Sequence, residues 1–186
     1  MKALLYCTKG KPYITWGNNK KCYPSCACSD GIRSWHLNGK IVAEVEIDKV
    51  EEIDNGSRFN DEGRYYVTIY MSFGMLLEKS CLTDKELEKY LQEDIGYALH
   101  LTNLKVFDKP KELSDYLMTS KRDENWSGHK YTRLNKAPQN MCNVYDSQEN
   151  HYVLISIQPQ HLCNILNGEK TIEVRRKVLN CLKEMI

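Results

Sequence analysis

The chain has 186 residues, of which 41% are hydrophobic and 27% are charged. This balance is typical of a globular protein with a sizeable core, and the length suits one domain with an insertion or two very small ones. The formal net charge of +1 excludes a gross polycation, so any nucleic-acid binding has to come from a local basic patch.

The opening stretch and the cysteines bear on the compartment. The first apolar run, Ala3 to Cys7, is too short for a signal peptide or a membrane span. Eight cysteines raise the alternative of a secreted disulfide scaffold, but several of them lie inside apparent core segments. We therefore expect a cytoplasmic protein with mostly free thiols and no membrane partner.

The first half of the chain predicts strands separated by loops. Residues 2–7 predict a short buried strand, and residues 10–39 a loop-rich stretch punctuated by glycine and proline. After the turn signal Asn38-Gly39 comes the clearest strand, in which apolar residues alternate at Ile41, Ala43, Val45 and Ile47. Residues 65–70 predict another strand of β-branched and aromatic residues.

A helix is well marked after residue 81. Thr83 and Glu86 match a capping box, and an apolar stripe follows at helical spacing: Leu82, Leu87, Tyr90 and Leu91. Residues 96–107 then predict a buried strand, and residues 109–117 a short helical turn opened by Pro110.

The remaining elements complete an α+β pattern. Residues 118–136 are polar and lack periodicity, which predicts a mobile loop. Two strands (141–145 and 152–158), a helix (159–166), a strand (171–175) and a tail helix (177–186) follow. Together they predict a single compact, β-barrel-like α+β domain over 1–186, with its core in 1–117 and 137–178.

The strand at 171–175 carries the most suggestive charges. Its strict alternation predicts one face in the core and one in solvent, the latter with Thr171, Glu173 and Arg175, and with Lys170 at its entry. One interpretation is a solvated salt bridge on a sheet rim, which contributes under about 1 kcal/mol. The other is a functional site.

Three segments resemble the ASCH domains of the PUA-like superfamily, small β-barrels associated with RNA binding and RNA modification. ISIQPQHLCNILNGEKTIEVRRKV (155–178) matches the family pattern of strand, helix and G-x-K-x-x-E-x-R, supplied by Gly168, Lys170, Glu173 and Arg175. NGKIVAEVEIDKVEEI (38–53) is similar to the central strand, and GYALHLTNLKVFDKPKEL (96–113) to the closing strand.

The order of these segments differs from that of ordinary ASCH domains, where the G-x-K-x-x-E-x-R segment comes first and leads into a strand like LLYCTKGKPY. Here that strand opens the chain, so the resemblance implies a circularly permuted PUA-like barrel. Residues 155–178 and 2–15 are then expected to be neighbours. The arrangement also resembles proteins from phages and prophages of Gram-positive bacteria.

The leading functional hypothesis is a module that binds RNA, another single-stranded nucleic acid or a modified nucleoside. The resemblance implies that the G-x-K-x-x-E-x-R segment lines the binding cleft, and the clustered cations and aromatics along residues 6–21 favour such a ligand. The candidate binding residues are Tyr6, Thr8, Lys9, Lys11, Tyr13, Trp16, Gln139, Asn140, His161, Lys170, Glu173, Arg175 and Arg176.

Two alternatives remain open. A bacterial branch of the family hydrolyses acetylcytidine-type amides with a Lys, a Thr and a Glu, which implies catalytic roles for Lys170 and Glu78. The Thr position is Glu173 here, with Thr171 nearby. The other alternative is a phage protein that binds a host factor through the 118–136 loop and the tail helix.

The spacing of Cys22, Cys26 and Cys28 is the one metal-like pattern, and it falls within the range of zinc-ligand spacings. No second cysteine pair of this kind follows, so three free thiols are an equally good interpretation. Nothing resembles a P-loop or a G-x-G-x-x-G turn, and we expect no nucleotide or redox cofactor.

Overall fold

The computed structural model describes residues 1–17, 19–24, 35–55, 65–67, 71–92, 95–119 and 131–186. The chain divides into two compact units. Unit 1 comprises Met1–Glu46 and Asn103–Cys163, and unit 2 comprises Ile47–Thr102 and Asn164–Ile186.

Short helices and many strands make up the described residues. The strands are β1 (Lys2–Cys7), β2 (Ile14–Trp16), β3 (Cys22–Pro24), β4 (Trp35–His36), β5 (Ile41–Asn55), β6 (Tyr65–Val67), β7 (Gly96–Lys111), β8 (Leu117–Thr119), β9 (Tyr131–Arg133), β10 (Met141–Tyr145), β11 (His151–Ile157) and β12 (Ile172–Arg175). The helices are α1 (Phe73–Ser80), α2 (Asp84–Leu91), α3 (Pro159–Leu166) and α4 (Asn180–Lys183), with a 3-10 turn at Leu113–Asp115.

The protein is α+β, with one large mixed sheet and few short helices. Hydrogen bonding gives the order β12-β7-β5-β1-β11-β10-β8-β9, with β6 on β5, and β3-β2-β4 form a small second sheet. The pairing of β1 with β11 is parallel and that of β1 with β5 antiparallel. Barrel closure is not found in the described residues and stays a prediction.

Unit 1 has an apolar core between its strands. Leu4, Leu154 and Val144 lie at its centre, and the rings of Tyr116 and Tyr152 meet edge to face with centroids 6.3 Å apart. On β5, the predicted alternation is confirmed from Ala43 onwards, where Ala43, Val45 and Ile47 are buried while Glu44, Glu46 and Asp48 are not. It fails at the start of the strand, because Val42 is also buried and the pairing register with β1 shifts there. Residues 2–15 and 155–178 were expected to be neighbours, and the structure shows this for residues 5–7, which pair with residues 155–157.

Unit 2 packs α1 and α2 against β7 and β12. The buried residues of this core are Ile53, Met71, Leu76, Leu87, Leu91, Ala98, Ile172 and Val174. The predicted capping box is confirmed: the Thr83 hydroxyl accepts from the Glu86 N–H, and the Glu86 carboxylate accepts from the Thr83 N–H. Helix α1 was not predicted from the sequence; its N-cap is Ser72.

Several elements differ from the sequence predictions. The 118–136 segment was expected to be a loop, but its two ends pair as β8 and β9. The stretch 10–39 contains β2, β3 and β4, because strands of two or three residues are too short to show periodicity. The helical turn at 109–117 is limited to Leu113–Asp115, and the tail helix to Asn180–Lys183. In the part of the chain described, no helix has the length and apolarity needed to cross a membrane.

Candidate functional site

The charged side chains of residues 170–175, on and just before β12, are buried, which corrects the expectation that they face solvent. Lys170, Glu173 and Arg175 expose only 3%, 7% and 8% of their surface. Thr171 is half-buried. The alternation of apolar and polar residues is present in β12, but the polar face of the strand is covered as well. The interpretation of a solvated salt bridge on a sheet rim is therefore also wrong.

Lys170 lies at the carboxyl end of α1. Its Nζ donates to the Ser80 carbonyl at 2.8 Å and lies 3.1 Å from Glu173 Oε2. A cation at this end of a helix is stabilised by the helix dipole and satisfies a carbonyl that has no partner within the helix. The next residue adds a backbone bond, since the Thr171 N–H donates to the Lys79 carbonyl at 2.9 Å. Residues 170–171 thus hold β12 to the end of α1.

Glu173 bridges two cations. Its Oε1 lies 2.9 Å from an Arg175 terminal nitrogen, while its Oε2 faces Lys170. Breaking one member of such a buried network leaves a desolvated charge and costs several kcal/mol, whereas the intact network is close to neutral in stability. Any ligand that reaches Lys170 has to displace either this carboxylate or the Ser80 carbonyl. The expected phosphate contacts by Lys170 and Arg175 are therefore not available in this structure.

The carboxylate beside Lys170 is Glu173 and not Glu78. Glu78 is exposed on α1, and within the described residues no ion pair joins it to Lys170. The nearby Cys81 thiol is not activated either, because burial raises its pKa despite the neighbouring Lys170 charge. Lys170 is thus a buried cation held by the Ser80 carbonyl and Glu173, and within the described residues it forms no ion pair with Glu78.

The other cations expected to bind phosphates together with Lys170 lie in unit 1, where they are exposed. The first 29 positions contain no Asp or Glu, and their charged residues are Lys2, Lys9, Lys11, Lys20 and Lys21. Residues 8–13 form a surface segment between β1 and β2, which we call the basic loop. Lys9 and Lys11 are exposed in it, and Tyr13 exposes 52% of its surface.

Asn38 fixes the shape of the basic loop. Its Nδ2 donates to the Gly10 carbonyl at 2.7 Å and to the Pro12 carbonyl at 3.1 Å, and its Oδ1 accepts from the Ile14 N–H at 2.9 Å. Gly39 sits at φ +82°, and a Cβ there would lie 3.3 Å from the Lys9 side chain. The loop therefore presents its two lysines and its tyrosine from a bonded frame, which lowers the entropy lost on binding.

The other binding candidates are scattered over both units. In unit 1, Gln139 is exposed, while Thr8, Trp16, Asn140 and His161 are half-buried. Tyr6 is a correction, because it is buried in the core of unit 1 and cannot stack on a base. In unit 2, Arg176 is exposed and its guanidinium lies 5.5 Å from the centroid of Tyr90.

The expected metal cluster is described only in part. Cys22 is buried on β3, and Cys26 and Cys28 lie outside the described residues. The described ranges contain no group of three His, Cys, Asp or Glu that could hold a metal ion. Zinc binding by these cysteines stays a prediction.

A buried carboxylate in unit 2 was missed by the sequence analysis. Glu51 Oε1 lies 2.6 Å from Lys49 Nζ, and its Oε2 lies 2.7 Å from His100 Nε2. Burial works against ionisation of Glu51, but the hydrogen bonds from Lys49 and His100 outweigh it and lower its pKa. The residue stood in a run of charges, 44–52, whose sequence does not distinguish one carboxylate from another.

Comparisons with protein-family models, with curated proteins and with solved structures find no match for this chain.

Proposed function

We propose that the protein binds single-stranded nucleic acid, with RNA as the preferred ligand, and that the basic loop makes the main contact with it. The observation that carries the proposal is the exposed set Lys9, Lys11 and Tyr13 on a loop fixed by Asn38. Unstacked bases rest on aromatic side chains, and lysines neutralise the adjoining phosphates.

Local charge supports this choice of ligand. The chain as a whole is nearly neutral, yet its first 29 residues hold five lysines and no acidic residue. The exposed lysines of this stretch include Lys20 and Lys21, in the turn between β2 and β3 of the same unit. A local concentration of cations next to an exposed tyrosine suits a strand of phosphates and bases better than it suits an acidic protein surface.

We also propose that the fold is a circularly permuted ASCH-type, PUA-like barrel. The parallel pairing of β1 with β11 supports this, because a strand that followed the G-x-K-x-x-E-x-R segment in an unpermuted chain would lie near residues 155–157. The amide-hydrolase alternative is less well supported, because Lys170 is paired with Glu173 and the Ser80 carbonyl while Glu78 is exposed.

Fluorescence anisotropy tests the ligand. Labelled single-stranded RNA, its DNA equivalent and a duplex are titrated with the protein at two salt concentrations. We expect saturable binding that prefers a single strand. Because each lost phosphate contact lowers the salt slope by about 0.7, the double variant Lys9→Glu, Lys11→Glu should lower the slope by roughly 1.4.

A charge-matched control separates the loop from net charge. The double variant Lys85→Glu, Lys105→Glu changes two exposed lysines elsewhere and also takes the formal charge from +1 to −3, since each change subtracts two. The proposal requires this control to keep most of the affinity. Equal losses in both double variants, or no binding by the wild type at low salt, would refute it.

A further inference from the structure

Three rings form a row on the sheet of unit 1. The rings of Tyr145 and His151 are stacked with centroids 5.1 Å apart and planes at 29°. Tyr131 meets Tyr145 edge to face, with centroids 5.3 Å apart. We call Tyr131, Tyr145 and His151 the ring row; none of the three was singled out from the sequence.

Strand register explains why the rings meet. Tyr145 pairs with His151 on one side and with Leu117 on the other, and Leu117 pairs with Arg133. Paired residues of neighbouring strands share a face of a sheet, and so do residues two apart on one strand. The ring row and Arg133 therefore occupy one face.

At the ring row this face points away from the apolar cluster of Leu4, Val144 and Leu154, whereas farther along β11 the same face carries the buried Val153 and Ile155. The core uses the alternate residues of the same strands, Val144 on β10 with Tyr152 and Leu154 on β11. On the opposite face, His151 and Arg133 are exposed and Tyr131 exposes 38% of its surface. The outer sides of the ring row are thus open to a ligand.

We propose that the ring row is a stacking platform for the unstacked bases of a single-stranded nucleic acid. It uses residues other than those of the basic loop, but it rests on the proposed function because both need the same class of ligand. Tyr131 and His151 offer ring faces for the bases, and Arg133 offers a guanidinium to a phosphate or to a base plane.

The arrangement favours bases over a proline-rich peptide. A polyproline segment fits into grooves between aromatic rings, but here Tyr145 fills the space between its two neighbours. A side-chain amide also lies beside the ring row, because Asn143 Oδ1 is 3.0 Å from His151 Nε2. Flat outer surfaces with an amide and a guanidinium beside them suit a planar, hydrogen-bonding ligand.

The test separates bases from phosphates. Binding of a labelled ten-residue oligothymidylate is compared with that of an abasic strand of the same length, which keeps the phosphates and lacks the bases. The wild type should prefer the strand with bases by about 5- to 150-fold for each base stacked. The double variant Tyr131→Ala, His151→Ala should lose most of this preference and bind the abasic strand unchanged.

Matched variants guard against indirect effects. Tyr90→Ala removes a tyrosine of unit 2 that is 39% exposed, about as much as Tyr131, and should keep the preference. Tyr131→Trp retains a stacking surface and should also keep the preference for the strand with bases. Circular dichroism of each variant checks that the fold is intact.

The two proposals fail in different ways. If the double ring variant keeps the preference for bases, the stacking platform is wrong while the basic loop stands. If the wild type shows no such preference, the platform and the stacking role of Tyr13 are both wrong, while phosphate binding by Lys9 and Lys11 stands. If the basic-loop variant binds both strands as the wild type does, the basic loop is wrong and the platform stands. Binding of neither strand refutes both. A proline-rich peptide that shifts the His151 ring resonances in NMR spectra, where the oligonucleotide does not, would reassign the face to peptide binding.

Discussion

Replacing Lys170 by methionine removes a charge from the buried network at the end of α1. The change eliminates the 2.8 Å hydrogen bond to the Ser80 carbonyl and the 3.1 Å ion pair to Glu173, and it leaves both acceptors buried. Loss of one partner from a buried ionic network costs about 3–5 kcal/mol. For a chain of this length that corresponds to a fall in Tm of roughly 6–20 °C.

Thermal unfolding followed by circular dichroism measures the effect, with urea denaturation at 25 °C as a second estimate of the free energy of unfolding. Lys85→Met on the exposed face of α2 is the matched control and should change stability by less than about 0.5 kcal/mol. Replacing the whole network with Lys170→Met, Glu173→Leu and Arg175→Met should recover most of the loss, because no charge is then left buried.

A fall of less than about 1 kcal/mol for Lys170→Met would refute this reasoning. It would mean that the ammonium group is solvated and that Ser80 and Glu173 do not depend on it. Lys170 would then again be open to a role in ligand binding, as the sequence motif implied.

Two further predictions concern unit 2. Because the pKa of Glu51 is lowered in the folded state, its ionised form stabilises the fold above its ordinary value of 4.5, and this stability is lost as the pH falls through the lower folded value. Glu51→Gln should therefore be less stable than the wild type at pH 7, with a gap that narrows in urea denaturation series towards pH 3; a gap that stays constant would contradict the lowered pKa. Thr83→Ala removes the N-cap of α2 and should cost about 1 kcal/mol in urea denaturation, whereas Thr83→Ser should cost much less. Equal stability of the two variants would show that the Thr83 hydroxyl contributes nothing as an N-cap.

Local sequence patterns led to correct predictions where neighbouring residues decide the structure. The alternation on β5 from Ala43 onwards and the Thr83–Glu86 capping box were both confirmed, because each depends on residues within a few positions of one another. Helix α1 was missed although it is as long as α2, because its N-cap Ser72 is followed at the third helical position by Met75, where α2 has the Glu86 that completes a capping box.

The candidate sites were harder to predict, because they depend on contacts between distant segments. Alternation on β12 showed that Glu173 and Arg175 share a face, but not that the face would be buried beside Ser80, some 90 residues earlier in the sequence. The ring row needs the pairing of β8, β9 and β10, and β9 begins inside a segment whose polarity predicted a loop. Register between strands cannot be derived from either strand alone.

The central place of β1 has a consequence for synthesis on the ribosome. This strand lies between β5 and β11, and its partner positions Ala3 and Val153 are 150 residues apart in the chain, the difference of their numbers. At roughly 5–20 residues per second, about 8–30 s separate the translation of the two strands. Throughout that interval β1 can pair with β5 but presents an unpaired backbone edge on its other side. Unit 1 is therefore open to capture by a chaperone, or by another nascent copy, until β11 emerges.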